Sequence, residues 1–282
     1  AAASLAGPET PADAAAAARE VGAEPDPQLV LAGLAAGGVS PEGTDAVETA
    51  GVERRPGLGT PTEDPADGLA HTTLVHGEFS GDTDAAKRTL ADLGVDTVAD
   101  SKVASAVALE TSAPDTGNRG LAAVGRALHP FAPGGPFATV PGYGDVLDAV
   151  AREAPGTAVA LALGHDARER ALDAWRRHAR QAHRAVREAD PARHAGVVVA
   201  RAGDAHWTVA RLLRDFRSPE PAALVVGDGE AALAGPAGTG AAEVLSTAAA
   251  ECSGSAGGGD ERAYAAFDGD ADDLTAVVRG ML

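Results

Sequence analysis

The sequence predicts an α/β protein: a mostly helical N-terminal part, then a C-terminal α/β domain with a small mixed sheet, the two joined by a long helix. Three observations predict it. From residue 196 to 267, short apolar runs of strand length alternate with amphipathic segments of helix length. Residues 166–189 carry one uninterrupted helical period. Residues 1–155 are punctuated by helix start and stop signals. The boundaries that follow are 1–155 (helical), 156–190 (a strand and the connecting helix) and 191–282 (the α/β domain).

Each element has its own signal. Thr10-Pro11 supplies an N-cap and a first-turn proline, and Gly22 a stop, around ADAAAAAREV. PQLVLAGLAA reads as a buried helix. Gly51–Asp67, rich in proline and glycine, reads as a long loop. Helices follow at Asp82–Leu93, closed by Gly94, then at about Ser101–Ser112, Gly117–Leu128 and Tyr143–Glu153, with HPFAPGGPF breaking the last two apart. TAVALAL (157–163) is a continuous apolar run and reads as a buried strand. The long helix spans Asp166–Ala189. Beyond it come strand Gly196–Arg201, helix His206–Phe216, strands Ala222–Val226 and Glu230–Gly235, and helix Ala241–Ala250. The chain closes with a glycine-rich loop at Gly254–Asp260, strand Ala263–Phe267 and a final helix over 272–281.

Charge narrows the setting. The net charge is −18, and Lys87 and Lys102 are the only lysines, every other cation being arginine. Surface carboxylates keep a protein hydrated and apart from its neighbours when charges are screened over about 3 Å, as at molar salt. A halophilic cytoplasm is the expectation. Cys252 stands alone, which fits a reducing interior. No run of about 20 apolar residues occurs, so no membrane-spanning helix is expected. The start, AAASLAG, has neither Met nor a signal-peptide pattern and is expected to be the cut end of a longer protein.

The sharpest feature is the helix DARERALDAWRRHARQAHRAVREAD. Leu172, Trp175, Ala179, Ala182 and Val186 share one face, and Arg176, Arg177, Arg180, Arg184 and Arg187 the neighbouring one. Guanidinium groups match phosphate oxygens in pairs, so this stripe is a candidate nucleic-acid track. The competing reading is that these arginines neutralise their own protein's carboxylates. Gly257, Gly258 and Gly259, with Arg262 just beyond, could offer backbone N–H groups and a charge to a phosphate. Asp268, Asp270, Asp272 and Asp273 read as a helix cap rather than a calcium loop. His71, His76, Glu78, Asp82 and Asp84 lack the spacing of a zinc helix.

The last third resembles the DHH-associated domain of RecJ-like phosphoesterases. The likeness rests on Gly196–Val199, Trp207 opening the next helix, Val209–Phe216, Pro219 and Pro221, Ala223–Val226 and Gly257–Gly259, in that order across about 160–282. It implies that the sheet domain and its glycine loop grip a nucleic-acid backbone across a cleft, and that 1–155 is the latter portion of a DHH-type domain. In the family, aspartates and an Asp-His-His signature hold two divalent metals. No Asp-His-His occurs here. Asp260 stands where a His usually follows the glycines, LAGPAG (233–238) lacks the family's Ser and Arg, and AGGVSP (36–41) puts Gly or Ser at the last catalytic Asp. The resemblance therefore implies a protein that binds single-stranded nucleic acid as a non-catalytic member or subunit in DNA replication or repair, with a replication or repair protein as a further partner. The alternative is an active metal-dependent exonuclease whose ligands lie upstream of residue 1. No catalytic residue, metal ligand or cofactor is assigned within the chain, and Mn or Mg enters only with an upstream catalytic half.

The charge balance predicts salt-dependent folding. Carboxylates repel over about 30 Å at 0.01 M salt and about 3 Å at 1 M. The melting temperature followed by circular dichroism should rise clearly with KCl across that range, and a flat profile would remove the halophilic reading.

Overall fold

The computed structural model describes residues 11–20, 22, 24–95, 102–103, 107, 118–203 and 206–282. The fold is mixed α/β, as expected. The expected helix at Ser101–Ser112 and the N-terminal segment before Pro11 lie largely outside the described residues. The chain divides into two compact units, one of 1–74, 82–106 and 125–178, the other of 75–81, 107–124 and 179–282. Among the described residues no helix is long and apolar enough to cross a membrane.

The first unit is helical: α1 (Pro11–Glu20), α2 (Pro27–Ala36), α3 (Asp45–Ala50), α4 (Pro65–His71), α5 (Thr83–Leu93), α7 (Val140–Glu153) and α8 (Pro155–Ala162), with the C-terminal end of α6 (Asn118–Ala127) and the first half of α9 (Arg168–Glu188). A two-residue strand β1 (Glu53–Arg54) pairs antiparallel with β2 (Phe131–Ala132). Helix starts follow local chemistry. Asp26, Asp64 and Asp82 each accept backbone N–H bonds ahead of α2, α4 and α5, and α2 and α4 open on a proline. Thr139 caps α7 by accepting from Gly142 N at 3.0 Å, while its hydroxyl donates to Thr60 O at 2.8 Å. Gly142 permits that closeness, since a Cβ there would lie 2.2 Å from the Thr60 carbonyl carbon.

The core of this unit gathers Phe137, Tyr143, Val146, Val150, Leu161, Leu172 and Trp175. Inside it Asp145, 4% exposed, accepts three bonds: from Thr73 Oγ1 at 2.5 Å, Thr73 N at 3.0 Å and Trp175 Nε1 at 2.8 Å. A buried carboxylate is tolerated when its lone pairs are filled in this way.

One element differs in kind from the expectation. The run TAVALAL is not a strand but the body of α8. Pro155 opens the helix and Gly164, in the left-handed region at φ +73°, closes it. An apolar run has no periodicity to separate a buried strand from a helix, and its alanines favour the helix. Nor is the run fully buried: Leu161 is 6% exposed, but Val159 is 59% and Leu163 68%.

The second unit carries a six-stranded sheet ordered β3 (Ala192–His194), β4 (Val197–Arg201), β5 (Ala222–Val226), β6 (Glu230–Ala234), β8 (Arg262–Ala266), β7 (Ser255–Gly258). Only β4 and β5 pair in parallel, joined by α10 (His206–Phe216); every other pairing is antiparallel. Leu224, Val226, Leu233, Ala263 and Ala265 meet α11 (Ala241–Glu251) and α12 (Ala271–Met281) on one face, through Leu245, Leu274 and Val278. The alternate residues of β5 and β6 face α10, so β5 is buried along its whole length. The stretch expected as a glycine loop is largely strand: Ser255–Gly258 forms β7, a hairpin partner of β8. The Asp-rich run caps α12, as expected, through Asp270 accepting from Asp272 N at 2.8 Å.

Truncating Asp145 should unfold the first unit preferentially. Asp145→Ala removes the buried acceptor of Trp175 Nε1 and of the two Thr73 donors and is expected to cost about 3 kcal/mol. Urea melts at fixed high salt check this. A loss under about 0.5 kcal/mol, the size of an ordinary surface change, would mean the triple acceptor is not holding the helices.

Candidate nucleic-acid interface

In β8, successive side chains alternate between faces. Ala263 and Ala265 enter the core beneath α11 and α12, which sends Arg262 and Tyr264 to the opposite face. That is the face α10 covers, and α10 presents Trp207 there: the Arg262 guanidinium carbon lies 5.8 Å from the Trp207 ring centroid. This is cation–π distance. Arg262, Tyr264 and Trp207 are all partly exposed. Across the hairpin, Gly257 pairs with Tyr264, and a Cβ built at Gly257 would meet nothing within 4 Å. A tyrosine therefore stands beside bare, open backbone, with a guanidinium and an indole adjoining.

The glycines have different tasks. Gly258 sits at φ +145°, where a Cβ would lie 2.4 Å from Arg262 O, so close strand approach requires it. Gly259 donates its N–H to Arg262 O at 2.7 Å, closing the hairpin. That N–H is spent within the protein. Asp260 accepts from Gly238 N at 2.6 Å and Gly240 N at 2.8 Å, and these bonds hold its carboxyl below the usual range. Where the resemblance led to a histidine, this chain has a carboxylate that pins the loop ahead of α11.

The arginines of α9 divide between the two units. In the first, Arg176 forms a two-pronged pair with Asp67, Nε to Oδ1 at 3.0 Å and Nη2 to Oδ2 at 2.9 Å, and reaches Asp173 at 3.2 Å. Burial works to raise the Asp67 carboxyl, but bonds from His71 and Arg176 outweigh it and hold it well below the carboxylate range. Arg177 lies 3.7 Å from Glu153, whose acidity is strengthened first by its bond with His178. In the second unit, Arg187 donates to Ser80 O at 2.5 Å, while Arg180 and Arg184 are exposed. The partners of Arg176 and Arg177 thus include carboxylates far away in sequence.

The remaining histidines and acids of the loose metal-like set are dispersed. His71 pairs with Asp67 at 3.0 Å, His76 with His183 at 2.9 Å, Asp82 caps α5, and Asp84 meets Lys87 at 3.7 Å. Among the described residues no three His, Cys, Asp or Glu side chains are grouped to hold a metal ion. A separate cleft of about 470 Å³ opens at the carboxyl ends of β4 and β5, lined by Arg201, Gly203, Asp228 and Phe267 among others. Arg201 is already paired there with Asp272 at 2.5 Å, which with Asp228 disfavours phosphate.

Arg262 and Gly257, both expected near a phosphate, lie beside two aromatics, Trp207 and Tyr264, that no local motif marks as a surface. The signal was present: Arg262 and Tyr264 are two apart in a strand whose other residues are alanines.

The family model for the C-terminal domain of the uncharacterized protein rrnAC1427 matches residues 189–280. The protein of that name from Haloarcula marismortui is 50% identical over 260 residues, covering 89% of this chain and 70% of the relative. Among solved structures, RecJ from Thermus thermophilus in complex with Mg2+ is 17% identical with a TM-score of 0.43, matching 95% of this chain and 36% of that one. Exonuclease RecJ bound to manganese is 17% identical with a TM-score of 0.39, matching 95% of this chain and 58% of that one. The chain thus spans between about a third and three-fifths of those RecJ chains. With half of the aligned residues shared along most of its length, this chain belongs to the rrnAC1427 family.

Proposed function

We propose that this chain holds single-stranded nucleic acid through the Trp207–Arg262–Tyr264 face, as a RecJ-like DHH-family protein that serves DNA replication or repair without cutting. The observation that supports this reading is the partly exposed Arg262–Trp207 pair with Tyr264 on the same face beside open glycine backbone. Unpaired bases stack on aromatic rings, at about 1–3 kcal/mol per base, and arginine adds to such platforms. A chain of net charge −18 gains little from long-range attraction of phosphate. Stacking and short bonds must then carry the affinity, and these weaken less with salt than phosphate neutralisation does. The arginines of α9 act as a secondary track through the exposed Arg180 and Arg184.

Intrinsic fluorescence isolates the site, because Trp175 is fully buried and Trp207 is partly exposed. Adding oligo-dT at fixed KCl should quench the emission. Trp207→Ala or Arg262→Gln should weaken anisotropy-measured binding about tenfold, in line with the loss of one stacked base. Arg180→Gln with Arg184→Gln should have a smaller effect. Unchanged affinity in a folded Trp207→Ala variant, or no binding at any salt, would overturn the reading.

A further inference from the structure

The segment Val75–Gly81 lies between two stretches of the first unit in sequence, yet belongs by its contacts to the second. What fastens it is a pair of buried histidines. His76 is 9% exposed and His183, on α9, is fully buried. Their Nδ1 atoms face each other at 2.9 Å, with ring centroids 5.2 Å apart and the planes within 24° of parallel. Two further features hold the same segment on α9. Arg187 donates to Ser80 O at 2.5 Å, and a Cβ at Gly81 would lie 3.3 Å from His183 Cβ.

An Nδ1-to-Nδ1 hydrogen bond admits one proton. One ring donates its N–H, and the other must keep a bare lone pair at the same position. Protonating the accepting nitrogen sets two N–H groups head to head. We propose that the His76–His183 bond is an acid-sensitive clasp that holds Val75–Gly81 on α9 at neutral pH and releases it on acidification. The surroundings reinforce the neutral state. Among the described residues, Arg187, from α9, and Arg217, from the segment beyond α10, are the charged groups that act on His76, and both are cationic; Glu78 in the same segment is exposed. Arg217 is itself fixed over α9, donating to the carbonyls of Val186 and Arg187. Burial first, then these two cations, push the His76 imidazole down from 6.5 to about 4. The sign follows. A histidine whose folded value is depressed stabilises the fold fully above its unfolded value, and that contribution drains away as pH falls from 6.5 towards 4.

Hydrogen exchange by mass spectrometry at constant molar KCl tests this, with rates normalised for the intrinsic pH effect. Protection of 75–81 should fall about tenfold or more between pH 7 and pH 4.5, while strand β5 keeps its protection. In the double variant His76→Gln, His183→Gln the pH dependence should vanish. Wild-type protection that is flat with pH, or an unaltered pH profile in the double variant, would overturn the clasp. If the double variant does not fold, nitrogen NMR of the wild-type rings decides. A bare Nδ1 surviving well below pH 6.5 upholds the proposal, and ordinary titration of both rings with the segment still protected refutes it.

Discussion

The register of β8 between β6 and β7 is the constraint on which the second unit and its candidate surface depend. Ala263 and Ala265 are fully buried, and Leu233 and Ala231 pair with them across β6. A slip of one residue would drive Arg262 and Tyr264 into the core and turn the alanines outward. Both ends of the strand are clamped against that slip. Gly235 N bonds Glu261 O at 2.8 Å and Gly259 N bonds Arg262 O at 2.7 Å at one end, and Phe267 N bonds Gly229 O at 2.9 Å at the other. The same alternation that builds the core thus delivers an arginine and a tyrosine to the face where Trp207 stands.

Competition for cations shapes the rest of the surface. In a chain with 41 acidic residues against 23 lysines and arginines, a basic helix face readily finds a carboxylate of its own protein. Arg176 engages Asp67 with both prongs, and Arg177 leans on Glu153. A half-buried, two-pronged pair is worth more than an exposed one and is slow to exchange for a phosphate. Arg262 is placed differently, over an aromatic ring as well as beside the hairpin, so its position suits stacking as much as charge.

Legibility in the sequence followed the strength of local patterns. Strand Ala222–Val226 and helix His206–Phe216 match their expected bounds because an apolar run preceded by Pro221 and followed by Gly227, and an amphipathic period, leave little choice. The run 157–163 misled because uniform apolarity carries no period, and its helix is set by Pro155 and Gly164. The β7 hairpin was hidden by glycine, which signals a turn locally but here is demanded by close strand approach at Gly258. At the candidate site, Arg262 was readable as a charge near glycines. Its neighbour Trp207 lies 55 residues earlier in the numbering, and only the sheet order brings the two together. Likewise the tie from Asp145 to Thr73 and Trp175 joins three distant stretches that no local motif connects.

The central claim is that nucleic acid meets this protein where Arg262 and Tyr264 of β8 emerge beside Trp207. Ultraviolet cross-linking to bromouridine-substituted single strands, followed by peptide mass spectrometry, tests it most directly. Adducts are expected on Trp207 and Tyr264, within the tryptic peptides 202–211 and 263–279. Adducts confined to α9, or none on either aromatic in a complex that demonstrably forms, would contradict the account.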